Sequence, residues 1–290
     1  MREIRLKARA KINLTLDVTG KREDGYHLLE TIMQTVALYD GIYMKKLEKP
    51  VIKLKTNLPW LPTDARNLAW KAANLMRETF GIKEGVFIEI DKRIPVAAGL
   101  AGGSTDCAAV LVGMNELYGA RLSMSELCAL GAKIGADVPF ALMGGTCRVQ
   151  GVGDFLKALP PVPECWFTVV MPDYGVSTPE AFAAYDTVGS STHPDCEAQE
   201  AAIRAGDLDA VCAAAGNALE ECSGAKDTGA IKALLREHGS VTALMTGSGA
   251  AVFGVFRDEG AARAAAQAAK RRWKQVYVAQ PDRGGARVSR

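Results

Sequence analysis

Several features that would mark out a chain of 290 residues are missing from this one. It has no large charge of one sign. Its 35 Lys and Arg against 33 Asp and Glu leave a formal +2, too little to point to a nucleic-acid backbone or an anionic membrane surface. Its seven cysteines include no C-x-x-C pair, so zinc-ribbon spacing is absent, and an odd number suggests reduced thiols and a cytoplasmic protein. It has no long apolar run: residues 241–256 are broken by Gly247 and Gly249 and are too short to span a bilayer. The first residues are charged at Arg2, Glu3, Arg5 and Lys7, without the apolar core of a signal segment. No internal repeat is present. Two common phosphate signatures are missing as well. No Gly-Lys is followed by Ser or Thr at Walker spacing, and the G-x-G fragments at Gly151 and Gly247 do not extend to G-x-x-G.

What is present is ordinary in bulk and specific in detail. A content of 48% hydrophobic and 23% charged residues is that of a soluble globular protein, long enough for two cores. From Ile4 to Val18 every even position is apolar, a period of two that predicts one long bent strand or two in tandem. Lys11 and Asn13 fall together on its polar face, which the pattern alone makes a solvated one. Strands are expected over 28–38, 42–46, 51–55 and 86–91, and helices over 67–80, 107–118 and from Ser123, where Ser123 and Glu126 form a capping box. Gly135 and Pro139 are expected to end that last helix. The Pro-rich stretch 159–163 suggests a boundary between domains 1–158 and 159–290. Beyond it, strand 166–171, helices near 178–185, 195–205, 207–221 and 227–238, strands 241–245 and 251–256, helix 258–273 and strand 276–279 give the β–α–β–β–α–β order of a ferredoxin-like layer. The fold class is α+β.

One stretch carries chemistry on its own terms: Pro95, then Gly99-Leu100-Ala101-Gly102-Gly103-Ser104-Thr105, between an apolar strand and an apolar helix. Glycines let a backbone approach a ligand closely. A helix that starts after such a loop points unpaired N–H groups and the positive end of its dipole into it. Together these make a phosphate cradle, where a structural turn would seldom need so many glycines and hydroxyls.

Three dispersed segments in order, Lys11-Ile12-Asn13-Leu14, Pro95 to Thr105 and Thr246-Gly247-Ser248-Gly249-Ala250, resemble the motifs of the GHMP kinase superfamily over nearly the whole chain. The resemblance implies an N-terminal domain like ribosomal protein S5 domain 2, a ferredoxin-like C-terminal domain and a site between them. It implies ATP as phosphoryl donor and Mg²⁺ as cofactor, with Pro95, Gly99, Leu100, Ala101, Gly102, Gly103, Ser104 and Thr105 on the phosphates. Asn67 and Lys92 fall where family members approach adenine and ribose. No carboxylate stands out as a metal ligand, which leaves Ser104 as the nominated contact. Ala10 to Leu14, Gly25-Tyr26-His27 and Gly135-Ala136-Asp137-Val138-Pro139 narrow the likeness to the branch that phosphorylates the 2-hydroxyl of cytidine diphosphate methylerythritol. There Asp137 matches the general base and Lys11 the cation that keeps it ionised, although Asp137 acting only to orient the hydroxyl is the competing mechanism. Asn13 matches a substrate-side hydrogen-bonding residue. Tyr26 and His27 match the pair that stacks on and hydrogen-bonds to cytosine, with Phe182, or its rival Tyr185, closing the other face. Two positions depart from the family pattern: Ala101, where a glycine is usual and where alanine calls for φ < 0 or a shifted loop, and Thr105, which keeps the hydroxyl of the usual serine. A homoserine- or mevalonate-type kinase is one alternative, against which Gly25-Tyr26-His27 counts. A non-catalytic nucleotide or RNA-binding module is another, and the near-neutral charge opposes it. The expected partner is thus a small molecule, with no nucleic acid and no membrane, in a monomer or weak homodimer.

Overall fold

The computed structural model describes residues 1–289. The alternation from Ile4 onward forms a single long strand, β1 (Glu3–Lys21), and its partner β2 (His27–Leu47) runs antiparallel along its whole length. Expected as separate strands, 28–38 and 42–46 are one element, because β1 offers a continuous edge past Tyr39 and Asp40. Register shifts between Arg9 and Lys11 and between Asn13 and Thr15 let the pair bend without breaking. β3 (Ile52–Thr56) and β4 (Gly85–Asp91) extend the sheet in the order β1-β2-β4-β3, and β5 (Thr146–Gly151) pairs with the far end of β2 and with β6 (Phe155–Ala158).

Helices α1 (Leu68–Phe80), α2 (Gly102–Tyr118), α3 (Met124–Ala132) and α4 (Val138–Met143) cover the opposite side. Their small and aliphatic residues, Ala69, Ala72, Met76, Ala108, Val110, Leu111 and Met114, pack on Leu6, Ala8, Met44, Ile88 and Ile90 in one core. A Cβ on Gly113 would lie 2.2 Å from the Met44 sulfur, so the mid-helix glycine is what lets α2 sit directly on β2.

The second sheet is built from β7 (Trp166–Met171), β9 (Thr242–Met245), β10 (Val252–Phe256) and β11 (Gln275–Ala279), all antiparallel, in the order β11-β7-β10-β9. That is the order expected of a ferredoxin-like layer. Its helical companions are α5 (Thr178–Val188), α6 (Cys196–Ala205), α7 (Leu208–Ala213), α8 (Thr228–Glu237) and α9 (Glu259–Ala269). The helix expected over 207–221 stops at Ala213. Gly216 and Asn217 leave it to form β8 (Gly216–Asn217), parallel to Thr15 and Leu16 of β1. At the chain's end, β12 (Arg287–Val288) pairs with Leu6 and Lys7. Two short strands from the second half therefore pair, at separate places, with the edge of β1 that β2 leaves free. No helix is long and apolar enough to cross a membrane among the described residues.

Candidate active site

The glycine stretch opens a helix sooner than its pattern suggests. α2 begins at Gly102, not near Cys107, so Gly102 and Gly103 are its first two residues and their N–H groups face outward at its positive end. Ala101 caps it with φ 58° and ψ 25°, a left-handed conformation and not the expected negative φ. This corrects the expectation for an alanine there: the loop keeps the shape a glycine would take, and the strain stays with the Cβ. Ala97 is also left-handed, at φ 54°.

Three elements close on this loop. Lys11 N–H donates to Leu100 O at 3.2 Å, and Ala251 N–H donates to Ala98 O at 3.3 Å. A Cβ on Gly99 would come within 2.1 Å of Thr246 O, and one on Gly247 within 2.9 Å of Gly99 O and 3.3 Å of Lys11 Nζ. All three motif segments thus meet backbone to backbone, and the glycines are there to allow it. They line a cleft of about 530 Å³ between the two sheets, together with Leu61, Pro62, Asn67, Phe182 and Leu219.

Lys11 and Asn13 are buried in this junction, against the solvated face that their alternation suggests, because the loop and the Thr246 turn cover that stretch of β1. Lys11 Nζ donates to Asn13 Oδ1 at 2.7 Å and stands 4.0 Å from Asp137 Oδ2. Burial pulls the Lys11 ammonium below the ordinary lysine value, and the Asp137 charge opposes that. Asn13 is held in turn: its backbone N–H donates to Thr246 Oγ1 at 3.0 Å and its side chain to Thr31 Oγ1 at 2.8 Å. Both ends of its side-chain amide are thus bonded, the oxygen to Lys11 and the nitrogen to Thr31. Asp137 is the residue before α4, yet its side chain does not cap that helix. Pro139, expected as a terminator, sits instead in the first turn of α4, where a missing N–H costs nothing. The carboxylate is left half-exposed at the mouth of the cleft.

Other expected site residues are placed less simply. Pro95, Gly99, Leu100, Gly103 and Ser104 line the cleft, but Thr105 does not. Its hydroxyl turns back to Gly102 O at 2.9 Å, the usual helix habit of threonine, so it gives the loop no free hydroxyl. Asn67 is on the wall and caps α1, accepting from Ala69 N–H and donating to Pro62 O at 2.9 Å. Lys92 also lines the cleft, with its ammonium bound to Asp40 and to Asp106 Oδ2. His27 stacks on Phe182, with centroids 4.7 Å apart and planes at 21°, and meets Tyr185 edge-on at 6.3 Å. Its Nε2 bonds to Asp186 Oδ1 at 2.7 Å, and Lys21 donates to the other Asp186 oxygen at 2.6 Å. Those two bonds hold the Asp186 carboxyl below the usual range. Tyr26 is 67% exposed and lines a separate hollow with Lys133, Ala136 and Gly153, so the structure joins Phe182 to His27 and leaves Tyr26 outside. The sequence reading also missed Asp40, Thr31, Asp186 and Asn217. Asn217 donates to Met245 O and Gly247 O at 2.9 Å each and so carries the third glycine turn. Only its position in a Gly-Asn pair hinted at a bend.

The model of the GHMP kinases N terminal domain matches residues 67–145, and that of the GHMP kinases C terminal matches 199–275. 4-Diphosphocytidyl-2-C-methyl-D-erythritol kinase of Lachnospira eligens is 43% identical over 282 residues, covering 96% of this chain and 98% of that one. The chain belongs to this kinase family. It is accordingly a GHMP kinase, an ATP-dependent phosphotransferase. The enzyme of the same name from Clostridium botulinum is 44% identical over 94% of this chain and 98% of its own. A crystal structure of 4-(cytidine 5'-diphospho)-2C-methyl-D-erythritol kinase superposes with a TM-score of 0.81 at 34% identity, covering 96% of this chain and 98% of the other. Homoserine kinase from Cytophaga hutchinsonii, at 20% identity and a TM-score of 0.80, shares the fold.

Proposed function

We propose that this kinase transfers the γ-phosphoryl group of ATP to the 2-hydroxyl of 4-diphosphocytidyl-2-C-methyl-D-erythritol. The observation that carries the reading is the approach of Lys11 and Asp137 beside the positive end of α2, with both glycine turns packed on Lys11. Phosphoryl transfer asks the protein for positioning and charge stabilisation more than for covalent chemistry. The N–H groups of Gly102 and Gly103 and the Ser104 hydroxyl receive the phosphates. Asp137 takes the hydroxyl proton as the new O–P bond forms. Lys11, oriented by Asn13, stands beside that carboxylate and offsets charge that develops on the transferring oxygens. Its 4.0 Å distance from Asp137 leaves the carboxylate free to bond the acceptor hydroxyl.

Mg²⁺ suits this donor set. Among the described residues no three His, Cys, Asp or Glu side chains converge. Magnesium bound to nucleotide phosphates keeps several waters and needs only one or two protein oxygens, and the Ser104 hydroxyl is well placed to give one. The ion supplies charge neutralisation at the phosphates. Phe182 in the cleft wall offers a face for the cytosine once the His27 ring, which stacks on it at 4.7 Å, moves aside. Tyr26 must swing in from its exposed position to close the opposite side. The division of labour follows the two domains, 1–158 giving the phosphate loop, Lys11 and Asp137, and 159–290 giving Phe182 and the Thr246 turn.

The test is turnover. Purified protein with ATP, Mg²⁺ and the cytidine substrate is expected to form ADP and the 2-phosphate, with homoserine and mevalonate unreacted in parallel. Folded protein that leaves the cytidine substrate untouched sinks the reading.

A further inference from the structure

Asp40 lies in the middle of β2, opposite Ala8 of β1, and is fully buried. It does not line the cleft, and phosphoryl transfer as laid out above has no use for a carboxylate there. Its bonds nevertheless all lead to the nucleotide side. Oδ1 accepts the backbone N–H of Arg93 at 2.5 Å and of Ile94 at 2.9 Å, the two residues that enter the glycine loop. Oδ2 accepts the Lys92 ammonium. Lys92 Nζ in turn donates to Asp106 Oδ2 on α2 at 2.8 Å. A Cβ on Gly102 would lie 3.1 Å from that ammonium and 3.2 Å from Ile94 Cγ2, so the cation sits directly beneath the first turn of α2.

One carboxylate therefore ties β2 to both ends of the loop, directly to its entry and through Lys92 to the helix that follows. Stability alone does not account for the cluster, since apolar side chains of similar volume usually serve a core as well as buried ions or better. Asp40 is the member with every bond made, whereas Asp106 Oδ1 has no partner. Burial lowers the Lys92 ammonium, but its two carboxylates outweigh that and hold it above the ordinary lysine value.

We propose that Asp40 is a positioning residue of the nucleotide site: it sets where the loop entry and Lys92 lie, and through them where the N–H groups of Gly102 and Gly103 point. The proposal rests on the reading of this loop as the ATP side of the cleft.

Asp40→Asn separates its two tasks. The amide oxygen can still accept from Arg93 and Ile94, but the amide nitrogen then faces the Lys92 ammonium, donor against donor. The expected result is a rise of about tenfold or more in KM for ATP and in Kd for ADP, with KM for the acceptor within about twofold, as misplacement of a binding loop predicts. Lys92→Met is expected to raise the same ADP Kd, and the double variant to add little to either, because the two act through one contact. A folded Asp40→Asn protein whose ADP Kd is unchanged, or whose two KM values rise alike, overturns the proposal. Hydrogen exchange on the wild-type protein needs no variant to fold: the amides of Arg93 and Ile94 are expected to be protected without nucleotide, and rapid exchange there also overturns it. ADP binding without turnover would count against the proposed reaction and leave the role of Asp40 still measurable from the Kd series.

Discussion

Replacing Ala101 with glycine should make this protein more stable without harming it. Ala101 holds φ 58° and ψ 25°, and its carbonyl accepts the first helical bond of α2, from Thr105 N–H at 2.9 Å, so the conformation is imposed by the helix start. For a residue with a Cβ the left-handed region costs about 1–2 kcal/mol. Glycine removes that cost but brings about 0.5–1 kcal/mol of extra unfolded-state freedom. The methyl is only half-buried, so little packing is lost. The balance is a gain of about 0.5–1 kcal/mol for Ala101→Gly, or roughly 2–4 °C in Tm per kcal/mol for a chain of this size. The assay is denaturant unfolding of both proteins, read as a rise in midpoint at constant slope. Ala101→Val is the control: a β-branched residue fits this region worst and should lower the midpoint. KM for ATP is expected to hold, because Gly102 and Gly103 already stand where the glycine variant would put them. An Ala101→Gly protein that is less stable than wild type would refute the left-handed cap and the strain derived from it.

Asp137→Asn should lower kcat by roughly 10²–10⁴, the span of general base catalysis, while ADP still binds; near wild-type turnover rules out proton transfer to Asp137. The pH–rate profile should fall on its alkaline side below the ordinary lysine value of 10.5, because burial lowers the Lys11 ammonium and the cation is needed in its charged form. The sign for stability is the opposite. The unfolded chain holds that proton to higher pH than the folded one, so stability attributable to Lys11 rises between the lowered value and 10.5, which unfolding midpoints at several pH values would show. Tyr26→Ala should change the unfolding free energy by no more than about 0.5 kcal/mol, as an exposed side chain does, and raise KM for the cytidine substrate but not for ATP. Equal changes in both KM values contradict a base-stacking role.

Both layers were legible because each has its own period. The two-residue alternation of β1 and the β–α–β–β–α–β order of the second half follow from side chains that a short window contains. What a window cannot contain is a partner 200 residues away. Helix 207–221 stops at Ala213 because Asn217 is wanted beside Leu16 and Met245, and helix propensity has no knowledge of either. Lys11 and Asn13 read as solvent-facing for the same reason, since the loop that buries them arrives from residue 98 onward. The motifs marked which residues meet but not what they are already bonded to. Thr105 bonds its own helix, Asn67 caps another, and Lys92 is claimed by two carboxylates. Tyr26 and His27 are neighbours in sequence on opposite sides of a strand start, and only His27 reaches α5.

Several costly features of this chain lie in one place. Two alanines in left-handed conformation, a buried lysine pulled below its ordinary value and a second buried lysine between two acids all surround the start of α2, while the core cluster under α1 and α2 is aliphatic and small. A fold selected for stability alone would not gather them, because each favours some other arrangement by a kcal/mol or more. They persist because β1, β2 and the Thr246 turn hold the loop from three sides, so that no single bond can relax it. The same bracing explains how a helix N-terminus becomes a site. Its N–H groups attract anions wherever they occur, but in the reaction proposed above they discriminate a transferring phosphoryl group only when Lys11 and Asp137 stay within a few ångströms of one point, and in this chain Asn13, Thr246 and Asn217 keep Lys11 and the turn beside it in place.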